Sequence, residues 1–361
     1  MKAAIVHDYL IQMGGAERVV AAMHKLFPQA PVFTSVFRKN KLSDDFSGMD
    51  IRTSFLQNWP LMDQEFRLYF LLYPLAFYLM DLSGYDLVIS SSSAYAKGIK
   101  KRKGQLHICY CHTPMRFAWR FDDYIRMQGL GNLSAAVLSP FMSLLRMWDR
   151  WSSDNVDHFI ANSAFIAARI KSIYNRDSVI IHPPVETSDF DPAGADGDYF
   201  LIVSRLLSYK RIDIAVNAFC RLQYPLKIVG EGPARRALEK ISGPNIEFLG
   251  RLPDDQVKRL FSGCRALIFP GEEDFGITPI EAAASGRPTI AYRGGGALET
   301  VIDGETGVMF NTQESSALAE AVIRFNEIKF DRSRLAAHAR KFDRTVFEEK
   351  FRRFLDEIKT F

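Results

Sequence analysis

Two glutamates eight positions apart carry the first chemical signal in this chain: Glu273 and Glu281, in the stretch Glu273-Asp-Phe-Gly-Ile-Thr-Pro-Ile-Glu281. They flank a glycine-containing loop between the apolar strand run Ala266-Leu-Ile-Phe269 and the start of a helix. Thr278 reads as that helix's N-cap, Pro279 as its first residue and Glu281 as the distal half of a capping box. Free backbone N–H groups and the positive end of the helix dipole would then face the loop, where an anion binds. Carboxylates are strong acceptors for hydroxyl groups. Phosphate alone has no use for two of them, whereas a ligand with phosphates and sugar hydroxyls does, and this points to a nucleotide sugar. Phe275, Gly276 and Ile277, lying between the two acids, belong to the same binding loop. In isolation the spacing fits equally well a Glu281 that only caps its helix and a solvated Glu273, so the surrounding features decide.

Arg205 and Lys210 follow the strand run Tyr199-Phe-Leu-Ile-Val203. Five apart in a loop, a guanidinium fork and an ammonium point charge can grip a diphosphate from two sides. Gly14 and Gly15 stand between the first strand and the first helix, where bare backbone lets a phosphate or sugar approach closely. An ordinary strand-to-helix turn uses the same pair. The fingerprint Gly-x-Gly-x-x-Gly with an acid on the next strand is absent, which counts against a dehydrogenase. His112 leaves the end of the apolar run Leu106–Cys111, with Pro114 fixing the turn and Arg116 adding a cation; a lone histidine is as readily structural as chemical. Gly294-Gly-Gly296 offers another anion nest, or simply a loop. Asp189-Phe-Asp191 matches a metal-binding Asp-x-Asp pattern but lies away from any strand end, so it reads as structural, and no catalytic metal is expected.

At 361 residues, 47% hydrophobic and 24% charged, the chain suits two soluble globular domains better than one core. Short apolar strand runs alternate with helical patterns on both sides of the polar stretch Thr187–Gly197, which reads as a linker. Each half therefore predicts a parallel sheet covered on both faces. The expected architecture is α/β, with Rossmann-like domains at 1–186 and 187–345 facing a central cleft, and an amphipathic helix at 346–361. Ligands of such sheets sit at the carboxyl ends of the strands. Residues 1–186 carry 21 Lys and Arg against 16 Asp and Glu, whereas the remainder carries 25 against 26. The cluster Lys97-Gly-Ile-Lys-Lys-Arg-Lys103 lies near an uncharged aromatic run, Leu68–Met80, too short to span a bilayer. Core accounts for most of that run. The basic cluster argues for peripheral contact with an anionic membrane, at about 1 kcal/mol per cation. No nucleic-acid partner is expected. The first residues run straight into a strand pattern with no signal peptide, and Cys109, Cys111, Cys220 and Cys264 show no disulfide or zinc spacing, so a reducing cytoplasm is expected.

Together these residues resemble the family-4 retaining glycosyltransferases of the GT-B fold over nearly the whole chain. In the second half the resemblance rests on Arg205 and Lys210, Val229-Gly-Glu-Gly-Pro233, Phe248-Leu-Gly-Arg251, the Glu273/Glu281 element and Gly294-Gly295. In the first half Asp8-Tyr-Leu, Gly14-Gly-Ala-Glu-Arg18, Cys111-His-Thr-Pro-Met-Arg116, Ala161-Asn-Ser163 and Pro183-Pro-Val185 are similar to the branch of bacterial O-antigen and exopolysaccharide mannosyltransferases. The resemblance implies that Arg205 and Lys210 hold the donor pyrophosphate, Glu281 the ribose hydroxyls and Glu273 the transferred sugar. It also implies that Gly15 lets the diphosphate approach and that His112 orients the reacting sugar. It further implies a nucleotide-sugar donor, GDP-mannose by branch, with no separate cofactor. The acceptor would be a lipid-linked or growing saccharide at the inner face of the cell membrane, and the terminal helix would pack on the first domain. UDP- or ADP-hexose as donor, and a sugar-nucleotide 2-epimerase, remain the alternatives. One departure is Arg211, where the family more usually has glycine.

Overall fold

The computed structural model describes residues 2–60, 62, 66–121, 125 and 132–359. The chain divides into two compact units, Met1–Pro183 with Glu348–Phe361, and Pro184–Phe347. Each is an α/β unit built on one parallel sheet.

The first unit's strands are β1 (Ala3–His7), β2 (Val32–Thr34), β3 (Ile51–Thr53), β4 (Leu87–Ser92), β5 (Leu106–Cys111), β6 (His158–Ala161) and β7 (Ser178–Ile180). Their spatial order is β3-β2-β1-β4-β5-β6-β7, so the winding reverses between β1 and β4. Ile5, Val6, Leu87, Val88, Ile89 and Ile108 are wholly buried, as a sheet covered on both faces requires. Strands β2 and β3 give no signal in the sequence, because three residues are too few to establish a period.

The second unit holds β8 (Phe200–Val203), β9 (Leu226–Val229), β10 (Ile246–Gly250), β11 (Leu267–Phe269), β12 (Thr289–Tyr292) and β13 (Gly307–Phe310). The order β10-β9-β8-β11-β12-β13 again reverses once, between β8 and β11. The helix Ile212–Leu222 buries Ile212, Ala215, Val216 and Phe219, an i, i+3, i+4, i+7 stripe laid on this sheet. Phe219 meets the Phe200 ring at 5.1 Å. Full burial of such a side chain contributes about 1.5–3 kcal/mol.

Three expectations need correction. The stretch Thr187–Gly197 is no free linker, because its polar groups have partners within the second unit. The guanidinium of Arg287, only 4% exposed, donates to the carbonyls of Gly194 at 2.8 Å and Ala195 at 3.1 Å and pairs with Asp196. Asp189 of the Asp-x-Asp pattern pairs with Lys258 at 2.6 Å, and Asp191 accepts the Ala193 N–H at 2.8 Å.

The aromatic run is divided rather than mostly core. Tyr73, Ala76 and Phe77 are buried, whereas Leu68, Leu71, Leu75, Tyr78 and Leu79 stand on the surface. The basic cluster is narrower than its sequence suggests. Lys97 is buried against Asp149, and Lys101 pairs with Asp157, which leaves Lys100, Arg102 and Lys103 exposed.

The last helix runs Arg344–Lys359, and Phe354 from it meets the His158 ring of the first unit edge-on at 5.9 Å.

Candidate active site

In the second unit the topology brings the predicted groups together. β8 and β11 are hydrogen-bonded neighbours, with Leu267 opposite Leu201, so the loops leaving their carboxyl ends lie side by side. The β8 loop carries Arg205 and then a single 3-10 turn, Ser208–Lys210. The β11 loop carries Glu273. Lys210 Nζ and Glu273 Oε1 form an ion pair, with the two side chains 14% and 17% exposed. A pocket at this point is lined by Ser204, Lys210, Phe269, Gly271 and Glu273. Arg205 extends a guanidinium N–H towards the Tyr209 hydroxyl at 3.4 Å, and Lys210 lies 5.1 Å from the centre of the Tyr209 ring.

Arg211 adopts φ 52° and ψ 36°, a left-handed conformation that favours glycine. The shape implied by a glycine at this place is thus kept by an arginine, whose guanidinium reaches Asp213 at 3.2 Å.

The helix after Glu273 starts earlier than the capping-box reading placed it. It runs Ile277–Ala284, with Gly276 as N-cap at φ 94°. That backbone conformation lets the chain enter the helix two residues before Pro279. Thr278 and Pro279 therefore lie inside the first turn, where Pro is tolerated because the first N–H groups have no intrahelical partner. Glu281 falls beyond the capping position and is 6% exposed. Phe275 is buried against Phe342, ring centres 5.7 Å apart, and Ile277 packs in the same cluster. The Gly294-Gly-Gly296 turn does not read as an open anion nest. Gly296 N–H donates to the Glu273 carbonyl at 2.8 Å. A Cβ on Gly295 would lie 2.2 Å from that same carbonyl, and one on Gly296 would lie 2.2 Å from the Phe275 backbone. These glycines let one main chain press on another and so hold the Glu273 loop in place.

In the first unit Gly14 caps the helix Gly15–Leu26 in extended geometry, and Gly15 is its first residue. His112 continues past β5, its N–H donating to the Ser92 carbonyl at 2.9 Å and its own carbonyl accepting from Asn162 at 2.9 Å. Its ring Nε2 lies 2.7 Å from Ser91 Oγ. Ser91 in turn contacts His7 Nδ1 at 3.1 Å, and His7 Nε2 lies 3.8 Å from Glu17. Burial, with the charge of His7 beside it, pushes the His112 pKa down to about 3, so the ring is neutral at physiological pH. His7 moves the other way. Burial disfavours its charge, but the Glu17 carboxylate, with Asp8 and the Ser91 carbonyl, outweighs it and raises the pKa. Asp8, next in sequence, accepts the N–H groups of Ser93, Ala94, Tyr95 and Ala96 and so fixes the turn after β4. Sequence reasoning missed His7, Ser91 and Glu17 as site residues. The serine run Ser90–Ser93 at a strand end was the available signal.

Comparison with known proteins identifies the family and agrees with the fold. Residues 13–189 match the family model described as Glycosyltransferase Family 4, and residues 186–342 the one described as Glycosyl transferases group 1. The chain belongs to the family-4 glycosyltransferases of the GT-B fold. An uncharacterized glycosyltransferase of Methanocaldococcus jannaschii is 26% identical over 57% of this chain and 60% of its own length. The O-antigen chain mannosyltransferase C of Escherichia coli is 35% identical over 35% of this chain and 36% of its own length. These matches thus span less than two thirds of either relative. Sucrose-phosphate synthase from Thermosynechococcus elongatus shares the fold at a TM-score of 0.74, with 18% identity, 100% of this chain and 100% of that chain covered.

Proposed function

We propose that the protein moves a hexose, mannose from GDP-mannose, onto a lipid-linked or growing saccharide in bacterial surface polysaccharide synthesis, with retention at the anomeric carbon. The observation that carries the reading is the Lys210–Glu273 pair beside Arg205, at the strand ends where the second sheet reverses. In this reading Arg205 and Lys210 neutralise the charge growing on the departing diphosphate, the largest electrostatic demand of such a transfer. Glu273 and Glu281 accept hydrogen bonds from sugar and ribose hydroxyls, Gly15 admits the diphosphate, and His112 orients the sugar. The acceptor oxygen bonds to the anomeric carbon as its bond to phosphate breaks, and the acceptor proton passes to the leaving phosphate. With two cations assigned to the diphosphate, turnover needs no divalent ion, so excess EDTA should leave it unchanged. The resemblance to mannosyltransferases of the O-antigen branch supports the choice of donor.

The proposed place of work is an anionic bilayer surface. The helix Asn132–Ser153 buries Met142, Leu145, Asp149 and Ser152 on one side. On the other it exposes Val137, Phe141, Leu144, Met147 and Trp151, an apolar stripe at helical spacing. Exposed Leu68, Leu75 and Leu79 lie on the segment that meets this helix through Tyr95, which contacts both Tyr73 and Trp148. Lys100 sits 5.6 Å from the Tyr78 ring centre, with Arg102 and Lys103 exposed nearby in sequence, supplying the positive charge that anionic headgroups attract. Among the described residues no helix is long and apolar enough to cross a membrane.

The deciding experiment offers the protein GDP-mannose and UDP-hexose with and without a polyprenyl-linked saccharide and follows products by mass spectrometry. Mannose-extended acceptor supports the reading. A new sugar nucleotide formed without acceptor would establish the epimerase instead.

A further inference from the structure

Three neighbouring strand ends in the first unit hold a hydrogen-bonded chain of side chains whose direction can be read from chemistry alone. The residues are His7 at the end of β1, Ser91 near the end of β4 and His112 just beyond β5, all at the point where this sheet reverses. His7 and Ser91 are register partners, and both are buried, at 2% and 0% exposure.

The direction follows from one group that cannot donate. His7 Nδ1 lies 3.0 Å from the Ser91 carbonyl oxygen, which only accepts, so Nδ1 carries a proton. The same N–H faces Ser91 Oγ at 3.1 Å and occupies that oxygen as an acceptor. A hydroxyl oxygen can accept twice, but among the described residues His112 Nε2, 2.7 Å away, is the acceptor left for the buried serine proton, which therefore points there. His112 Nε2 must accept, and a neutral imidazole that accepts at one nitrogen is protonated at the other. His112 Nδ1 has no hydrogen-bond partner among the described residues, and the residue keeps 7% of its surface open. Glu17, itself 2% exposed and 3.8 Å from His7 Nε2, holds the far end of the chain.

We propose that Ser91 and His7 are positioning residues for glycosyl transfer: they lock His112 as its Nδ1–H tautomer, so that it presents a hydrogen-bond donor to an oxygen of the reacting sugar. The part concerning the sugar rests on the function proposed above, whereas the tautomer lock does not. A donor here requires an acceptor oxygen on the ligand, so a donor sugar deoxygenated at the contacted position loses the contact. The lock also explains the use of serine at a fully buried position, because alanine would leave His112 free to reverse its tautomer.

Long-range proton–nitrogen correlation spectra of the full chain, labelled with nitrogen-15 histidine, read the tautomer directly. In the wild type His112 should show a protonated Nδ1 and an unprotonated Nε2 near neutral pH. Ser91→Ala should convert His112 to a mixed or Nε2–H form and lower kcat/KM for the sugar nucleotide by up to about tenfold, the effect of one neutral hydrogen bond. His7→Asn, which keeps an amide N–H near the place of Nδ1, should retain both tautomer and turnover, whereas His7→Leu should lose both. A wild-type His112 protonated at Nε2 overturns the lock whatever the protein's substrate. A tautomer that switches in Ser91→Ala with unchanged kcat/KM overturns the positioning role. Absence of transfer with every donor, the lock being intact, defeats the function reading and not the lock.

Discussion

Lys210 and Glu273 are ion-paired at the mouths of two adjacent strands although 63 residues separate them in sequence. Both are partly buried, and without a ligand each neutralises the other, so neither charge is stranded. In the function proposed above, a sugar nucleotide would part the two, drawing the ammonium to phosphate and the carboxylate to hydroxyls. Lys210→Ala and Glu273→Ala should each lower kcat/KM by about two to three orders of magnitude, the scale of losing one preorganised charge contact. Thermal unfolding should shift by only a few degrees. Steady-state kinetics beside a melting curve checks this, and wild-type turnover in both variants would remove the assignment.

Asp149 presents a different kind of pair. It is fully buried, and its carboxylate receives Lys97, the Trp119 indole N–H at 2.6 Å and the Tyr174 hydroxyl at 2.7 Å. Asp149→Ala leaves the Lys97 ammonium enclosed without its counter-charge, at a cost of about 3–5 kcal/mol. Replacing both, as Lys97→Met with Asp149→Leu, should recover much of that loss, since no charge is then stranded. Urea unfolding measures both quantities. An Asp149→Ala cost below about 1 kcal/mol would contradict the described burial.

Acid should loosen the first unit through His107. Burial pushes this histidine down to about 4, only partly offset by the Asn155 carbonyl, which its Nδ1–H meets at 3.1 Å. In the unfolded chain a histidine titrates near about 6.5. Between those values the unfolded state binds more protons, so stability rises with pH, is complete above the unfolded value and falls as pH drops towards 4. Each group of this kind contributes a slope of about 1.4 kcal/mol per pH unit. His112 acts with the same sign. Melting temperatures across this window should therefore climb with pH, and His107→Asn should flatten the climb; an unchanged slope would discount His107.

The exposed stripe of the helix Asn132–Ser153 gives a binding prediction. Leu144 and Met147 are 57% and 70% exposed, so Leu144→Glu with Met147→Glu should scarcely affect folding. Placed against anionic headgroups, two added carboxylates should weaken binding to phosphatidylglycerol vesicles by tenfold or more. Vesicle flotation reads the result, with turnover on a soluble acceptor unchanged. Equal flotation of variant and wild type would remove this helix from the membrane surface.

Much of the fold could be read from local patterns. The strand Leu106–Cys111 is a mainly apolar run interrupted by His107, and its limits in the structure are those read from the sequence. The strand Ile51–Thr53 was not legible, because two of its three residues are exposed and its place is set by its partner across the sheet. In the site, the residue types of Arg205, Lys210 and Glu273 revealed charge at strand ends, but their pairing depends on β8 lying beside β11. The helix start was misjudged for a backbone reason: Gly276 supplies the turn that a Thr278 cap would otherwise have had to make. Lys97 belonged to a basic cluster in sequence and to a buried pair in space, a difference fixed only by the distant Asp149. Ser91 was invisible as a site residue because serines are common at strand ends, and its meaning comes from two histidines on other strands.

The contact between the triple-glycine turn and the Glu273 loop limits how this protein can diverge. Because main chain rests on main chain there, with no side chain between, selection cannot retune the acid's position by swapping residues of different bulk at those glycines. New substrate preferences must therefore arise from replacements around a stationary carboxylate. Even a single added methyl at Gly295 or Gly296 would be felt as a dislodged acid rather than as an altered specificity.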